Sequence, residues 1–162
     1  MTLRIRSTRP HMPGYGLPDD ARGLKPWSWA EEILRAGHNY WVASARADGR
    51  PHAMPVWAVW HAGALWFSTG GESRKARNLA TRAECSVGTE LGTNAIVVEG
   101  TAVRLAVADA PADVAPLYAA KYGGGFPDDS PLFRVGPRVA FGFSEAADEF
   151  GEAATRWIFE DV

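Results

Sequence analysis

The chain has little of several things, and each shortage excludes a class of protein. It carries one cysteine, Cys85, in 162 residues. A disulfide framework within the chain is therefore impossible, and a reducing, cytoplasmic setting is the expectation. Cys85 lies in the strand-like run ECSVG and reads as a buried, inert thiol. No apolar run approaches the ~18–20 residues that span a bilayer, so no membrane partner is expected. The opening MTLRIRSTRPHMPG has arginines but no apolar segment, so it does not read as a secretory signal. Neither sign of charge dominates: 17 basic against 19 acidic residues give a net charge of −2, with no global drive toward nucleic acid. An anion site, if present, has to be local.

Chemical signatures are as sparse. Four histidines, His11, His38, His52 and His61, show no H-E-x-x-H and no Cys/His spacing, so no metal site is expected. There is no G-x-S-x-G nucleophile elbow, no Rossmann glycine fingerprint and no phosphate-binding P-loop. The adjacent carboxylates Asp19-Asp20, Glu31-Glu32 and Asp128-Asp129 sit in loops or at a helix start and read as solvated. No residue is singled out as a chemical catalyst.

What the chain has in quantity is short strands, turns and tryptophan. Residues 1–26 contain Pro10, Pro13, Pro18 and Pro26 with Gly14, Gly16 and Gly23, a spacing that predicts an extended arm without helix or strand. The remainder, 27–162, reads as one domain. Ser28 and Glu31 form an S-x-x-E pattern that predicts a capped helix over Ser28–Ala36, ended by Gly37. Strands follow over Asn39–Ala47, His52–Trp60 and Leu65–Thr69, with Asp48-Gly49 as a hairpin turn. Pro55 cannot donate to a ladder, so its strand needs an edge or a bulge there. Ser73 is placed to cap a helix over Arg74–Arg82 with an apolar stripe of Ala76, Leu79, Ala80 and Ala83, leaving Lys75 and Asn78 on other faces. Strands are predicted over Glu84–Glu90 and Ala95–Val107, with Gly100 marking a bulge or close approach. Asp109 is the expected cap of a helix carrying Val114, Leu117, Tyr118 and Lys121. A polar loop over Gly123–Pro131, a strand over Phe133–Phe143, an acidic loop SEAADEFGE and a last strand over Arg156–Phe159 complete the reading. About six short strands in a meander with two or three helices describe a small antiparallel barrel.

The stretch Leu65–Leu79, LWFSTGGESRKARNL, is the chemical centre of this pattern. A strand, a Gly-Gly turn, hydroxyls and two cations at a helix start offer a phosphate both hydrogen bonds and charge. A solvated basic helix is an equal rival on these residues alone. Trp41, Trp57, Trp60 and Trp66 flank the segment, either as core fillers or as walls for a planar ligand.

The order F-x-T-x-x-x-S-R-K over Phe67, Thr69, Ser73, Arg74 and Lys75 resembles the phosphate motif of the pyridoxamine 5′-phosphate oxidase-like split barrels. D-G-R-P-H-x-x-P-V-W followed by F-S-T-x-x-x-S-x-K-A-R-N-L is similar to their flavin/deazaflavin oxidoreductase branch. The resemblance covers His38–Val107 well and Phe133–Phe159 more weakly. It implies a mainly β fold with flanking helices: a six-stranded antiparallel split β-barrel of the FMN-binding type, paired as a homodimer with cofactor sites between subunits. It implies FMN or the deazaflavin coenzyme F-420 as cofactor, with Arg74 and Lys75 on its phosphate and Ser68, Thr69 and Ser73 donating hydrogen bonds. Met54, Pro55, Val56 and Trp57 would lie along the ring system, with Asn78 in support. His52 matches a family strand position without an implied catalytic role. The chain ends R-W-I-F-E-D-V, without the basic motif by which pyridoxamine phosphate oxidases grip their substrate, which argues against vitamin salvage. The implied activity is hydride transfer to a small unsaturated organic substrate, flanked by Trp57, Trp60 or Trp66. The alternative is a carrier or sensor of FMN, haem or another tetrapyrrole in the same groove.

Overall fold

The computed structural model describes residues 3–146 and 150–161. Among these residues eight antiparallel strands run β1 (Leu3–Thr8), β2 (Asn39–Ala45), β3 (Pro51–His61), β4 (Ala64–Ser68), β5 (Glu84–Thr89), β6 (Asn94–Leu105), β7 (Leu132–Ser144) and β8 (Thr155–Asp161). Four helices accompany them: α1 (Trp27–Ala36), α2 (Arg74–Thr81), α3 (Val114–Tyr122) and α4 (Phe150–Ala153). The strand order is β1-β8-β7-β4-β3-β2-β5-β6, and β6 also pairs with β7, closing six strands into a split barrel. β7 achieves this by sharing one edge. Its Leu132–Val135 half pairs with β4 and its Val139–Gly142 half with β8, while β6 runs along the opposite edge.

Closure needs a bend where β6 passes β7. The register shifts between Glu99 and Gly100, opposite Pro137, as expected for a bulge. A Cβ at Gly100 would lie 2.1 Å from the Gly136 carbonyl oxygen, so only glycine fits this approach. The β2–β3 hairpin turns at Asp48-Gly49, with Gly49 at φ +86°.

Alternation along β3 sorts its side chains. Val56, Ala58 and Trp60 enter the barrel core with Tyr40, Val42, Phe67, Ile96 and Val98. Val59 points outward into a second cluster with Trp66, Val114, Tyr118 and Phe126, beneath α3. Ala30 and Leu34 of α1 are fully buried in the main core, and Trp27 makes edge contacts with Trp60, Trp157 and Phe159 at centroid distances of 5.8, 5.4 and 4.8 Å. Burying a side chain such as Leu34 contributes about 1.5–3 kcal/mol. Cys85 is buried, and burial pushes its thiol up to about 11, an inert state at neutral pH. Among the described residues no helix is long and apolar enough to cross a membrane.

Several local expectations are corrected. Leu3–Thr8 is a strand, paired along its length with β8; it ends before Pro10, the first proline of the arm. The rest of the arm has no helix or strand and folds back on its own chain. The Arg9 guanidinium donates to the carbonyls of Asp20, Arg22, Glu152 and Ala154, and Trp157 Nε1 donates to the Lys25 carbonyl at 3.1 Å. α1 starts one residue early, with Pro26 at the N-cap position and no side-chain cap, and the Ser28–Glu31 capping box does not form. The Glu31 carboxylate instead accepts from Trp60 Nε1 at 3.1 Å and from Arg35 at 3.2 Å. Asp109 caps no α-helix: it closes a short 3-10 turn, and α3 begins at Val114. The residue before a proline is pushed away from helical backbone, and Ala110 before Pro111 is extended at ψ 158°. Of the acidic loop, Phe150–Ala153 is helical and residues 147–149 lie outside the described residues.

The C-terminal end of α3 is bolted to the barrel by two polar side chains. Lys121 Nζ donates to Tyr40 Oη at 2.9 Å and to the Ala58 carbonyl at 3.1 Å, and burial pulls its ammonium down to about 8. Tyr122 Oη accepts from the Ala58 N–H at 2.9 Å and reaches the His38 carbonyl at 2.7 Å. Replacing Tyr122 by Phe leaves the fully buried Ala58 N–H without that partner. Tyr122→Phe is expected to lower unfolding free energy by about 1–3 kcal/mol in urea titrations, with an unchanged slope; equal midpoints would show that the bolt contributes nothing.

Candidate functional site

The site begins where β3 and β4 part. Their pairing runs from His61↔Ala64 to Ala58↔Phe67 and stops. β3 continues to Pro51 paired only with β2, so its other edge is open over residues 51–57. Pro55, which cannot serve a ladder on both sides, lies in this open stretch opposite Trp41. The edge predicted from the sequence is therefore present. Past Phe67, the chain turns away through Ser68–Ser73 into α2, which packs against β2 and β3.

Ser73 caps α2 as expected, its Oγ accepting from the Ala76 N–H at 3.1 Å. Thr69 Oγ1 lies 3.2 Å from Ser73 Oγ. One proton is used within that hydroxyl pair and one is left for an external acceptor. Ser68 donates to the Pro131 carbonyl at 3.1 Å, so its proton is already engaged. The α2 N-terminus thus offers backbone N–H groups, one hydroxyl proton and positive dipole charge at a single place.

The buried face of α2 is rotated from the expected stripe. Ala76 and Leu79 are buried, as predicted, but Ala80 is exposed and Ala83 falls beyond the helix end. Lys75 and Asn78 are buried in their stead, 6% and 3% exposed. Asn78 has a direct reason: its Nδ2 donates to Ser44 Oγ at 3.0 Å, tying the helix to β2. Lys75 makes no hydrogen bond or ion pair among the described residues, and burial lowers its pKa. A largely buried lysine whose ammonium has no counter-charge is a cost to the fold that an anion would offset.

Other basic groups gather beside it. His52 lies opposite Ser44 in the β2–β3 register, under the same helix. Its pKa is lowered, first by desolvation and then by Lys75, Arg46 and Arg74, all positive. Arg46 belongs to the hairpin turn and Arg74 to the first helical position, where it is exposed. A fourth cation, Arg104 on β6, has its guanidinium 3.7 Å from where a Cβ on Gly71 would sit. Arg46 and Arg104 carry no local motif. They come to the site only through the β2–β3 and β6–β7–β4 registers, which a linear reading lacks.

The remaining candidate residues divide by strand alternation. Met54 shares the inner face with His52 and is 49% exposed, whereas Val56 on that face is sealed in the core. Pro55 and Trp57 share the outer face with Trp41. Trp57 stacks on Tyr122 at 4.9 Å and 5°, yet remains 50% exposed, and Trp41 is 48% exposed. Trp60 and Trp66 are corrected as substrate walls: they are 4% and 3% exposed, and their indole N–H groups are satisfied by Glu31 and by the His61 carbonyl. The structure therefore brings Thr69, Ser73, Arg74 and Lys75 together with the open β3 edge, but does not put Met54, Pro55, Val56 and Trp57 on one surface.

The family model for pyridoxamine 5′-phosphate oxidase matches residues 30–143. The chain belongs to that family. Its split-barrel fold recurs in solved structures of low identity. A conserved hypothetical protein, Rv2991 of Mycobacterium tuberculosis, is 19% identical with a TM-score of 0.66, over 78% of this chain and 89% of that one. A structure described as an F420 reductase is 17% identical with a TM-score of 0.55, over 68% and 94%. HutZ, a haem storage protein of Vibrio cholerae, is 18% identical with a TM-score of 0.57, over 68% and 88%. No curated protein matches.

The His52 environment has a pH signature in this pyridoxamine 5′-phosphate oxidase family member. A base whose folded pKa is depressed stays unprotonated while the unfolded chain takes up a proton below about 6.5. Its stability contribution is present above that value and lost as pH falls through the depressed one. Urea midpoints of wild type are expected to fall more steeply below about pH 6.5 than those of His52→Gln. Parallel pH profiles would show that His52 does not feel the cation cluster.

Proposed function

We propose that the chain binds a flavin-type cofactor by its phosphate at the α2 N-terminus and serves hydride transfer to a small unsaturated organic substrate. The observation that carries this reading is Lys75, buried to 6% exposure and without a counter-charge, beside Arg74 and the Ser73 cap. Phosphate chemistry fits the donor set: cations, a hydroxyl and backbone N–H groups, with no carboxylate among the groups acting on His52. Lys75 and Arg74 would hold the phosphate, with one hydroxyl of the Ser73–Thr69 pair donating and Asn78 fixing the helix that presents them. The open β3 edge at Met54–Trp57 would present backbone donors and acceptors to the polar rim of a flat ring. When bound, a reduced FMN or deazaflavin coenzyme F-420 supplies the hydride. The protein's part is to bind, orient and exclude water.

The K-A-R-N-L and P-V-W forms support the deazaflavin coenzyme over FMN. A homodimer follows from the same reading, because Trp41, Met54 and Trp57 stand half-exposed around a site open on one side. A second subunit would cover them.

Lys75→Met is expected to weaken binding of FMN or the deazaflavin coenzyme by about 1.5–3 kcal/mol, roughly ten- to more than a hundredfold, in a Trp fluorescence titration. Wild-type protein is expected to take up one of the two with its characteristic flavin or deazaflavin absorption. Equal affinities for wild type and variant would contradict the phosphate assignment. Uptake of haem with a Soret band, in place of either flavin, would favour a carrier.

A further inference from the structure

His52 is the one residue of the cluster whose ring nitrogens the fold treats unequally. Its Nδ1 is sealed from solvent and has no hydrogen-bond partner, the one such buried side-chain atom among the described residues. Nε2 is not sealed in this way and is likewise free of any protein partner among the described residues. The ring sits under α2, opposite Ser44, whose hydroxyl Asn78 holds from above. From α2 it faces Lys75 and Arg74, and from the hairpin turn Arg46; no carboxylate is among the groups acting on it.

A neutral imidazole has one N–H and one bare nitrogen. Putting the proton on Nδ1 would bury an N–H with nothing to receive it. Buried N–H groups without partners are rarer than under-used acceptors. Three neighbouring positive charges disfavour protonating both nitrogens. We infer that His52 is a neutral positioning donor of the anion site, fixed as the Nε2–H tautomer and offering that N–H to an oxygen of a bound phosphate. The inference rests on the phosphate reading of the site for its ligand, but not for the tautomer. A neutral N–H donates to the oxyanion without adding another charge to the crowded cluster, and it binds in a direction, which the ammonium on the flexible Lys75 stem does not.

The test is a long-range proton–nitrogen correlation spectrum of uniformly 15N-labelled protein at neutral pH, with and without inorganic phosphate or FMN. The His52 signals are assigned by their loss in His52→Gln. In ligand-free protein, Nδ1 is expected to show the shift of a bare ring nitrogen and Nε2 that of a protonated one. Added phosphate or FMN is expected to move Nε2 more than Nδ1. His52→Gln, whose amide can replace Nε2–H, is expected to keep FMN affinity within about threefold. His52→Asn, whose amide reaches only the Nδ1 position, is expected to lose about tenfold or more. A ligand-free Nδ1–H tautomer, or a charged ring at neutral pH, overturns the inference whatever binds. Equal FMN affinities for the Gln and Asn variants overturn the donor role. If Lys75→Met also leaves FMN affinity unchanged while the tautomer is as expected, the phosphate reading has failed and the ring assignment stands.

Discussion

β3 is paired with β2 over Pro51–Trp57 and with β4 only over Ala58–His61, and the rest of the molecule depends on that handover. A strand with an unpaired edge leaves donors and acceptors that need another partner. Pro55 removes one donor there and makes continued pairing on both sides impossible. β4 leaves, the chain turns at Gly70-Gly71, and α2 takes the place beside the opening. The barrel is split because of it, and the split is where helix dipole, cations and free backbone meet.

The opening also sets the energetics of the basic cluster. Asn78 ties α2 to Ser44, and Lys75, three residues before it on the same face, is buried with it, where its charge is poorly solvated. Arg46, Arg74 and Lys75 then act together on His52, and none of the charges acting on it is negative. Like charges held close in a half-dry site destabilise the ligand-free protein, a cost that the proposed anion would offset. On the other side of β3, the stack of Trp57 on Tyr122 and the bolt of Lys121 to Tyr40 and Ala58 keep the strand rigid while its edge stays free. The site is open where it must receive a ligand and stiff where it must not move.

Most of this is legible in the chain itself, and the exceptions share a cause. The meander from Asn39 to Ser68, the Ser73 cap, the Gly100 bulge and the edge at Pro55 follow from local rules of turn, cap and ladder, and they stand where those rules put them. Local rules fail where one side chain has two possible employers. Glu31 has the spacing of a cap partner but serves the Trp60 indole, and the Lys75 side of α2 looks solvated only while apolarity alone orients the helix. β1 escapes a local reading because the prolines later in the arm mask a short strand whose partner β8 lies at the other end of the chain. Arg46 and Arg104 are hidden for the same reason: they belong to the site by register, which periodicity within one element does not contain.

On the proposed reading, the uncompensated charge at Lys75 marks a phosphate site. A crystal structure of the protein with FMN or the deazaflavin coenzyme bound tests this most directly. The cofactor phosphate is expected within hydrogen-bonding distance of Lys75 Nζ and of Ser73 at the head of α2. A cofactor whose phosphate lies elsewhere, with Lys75 still facing no anion, would contradict it.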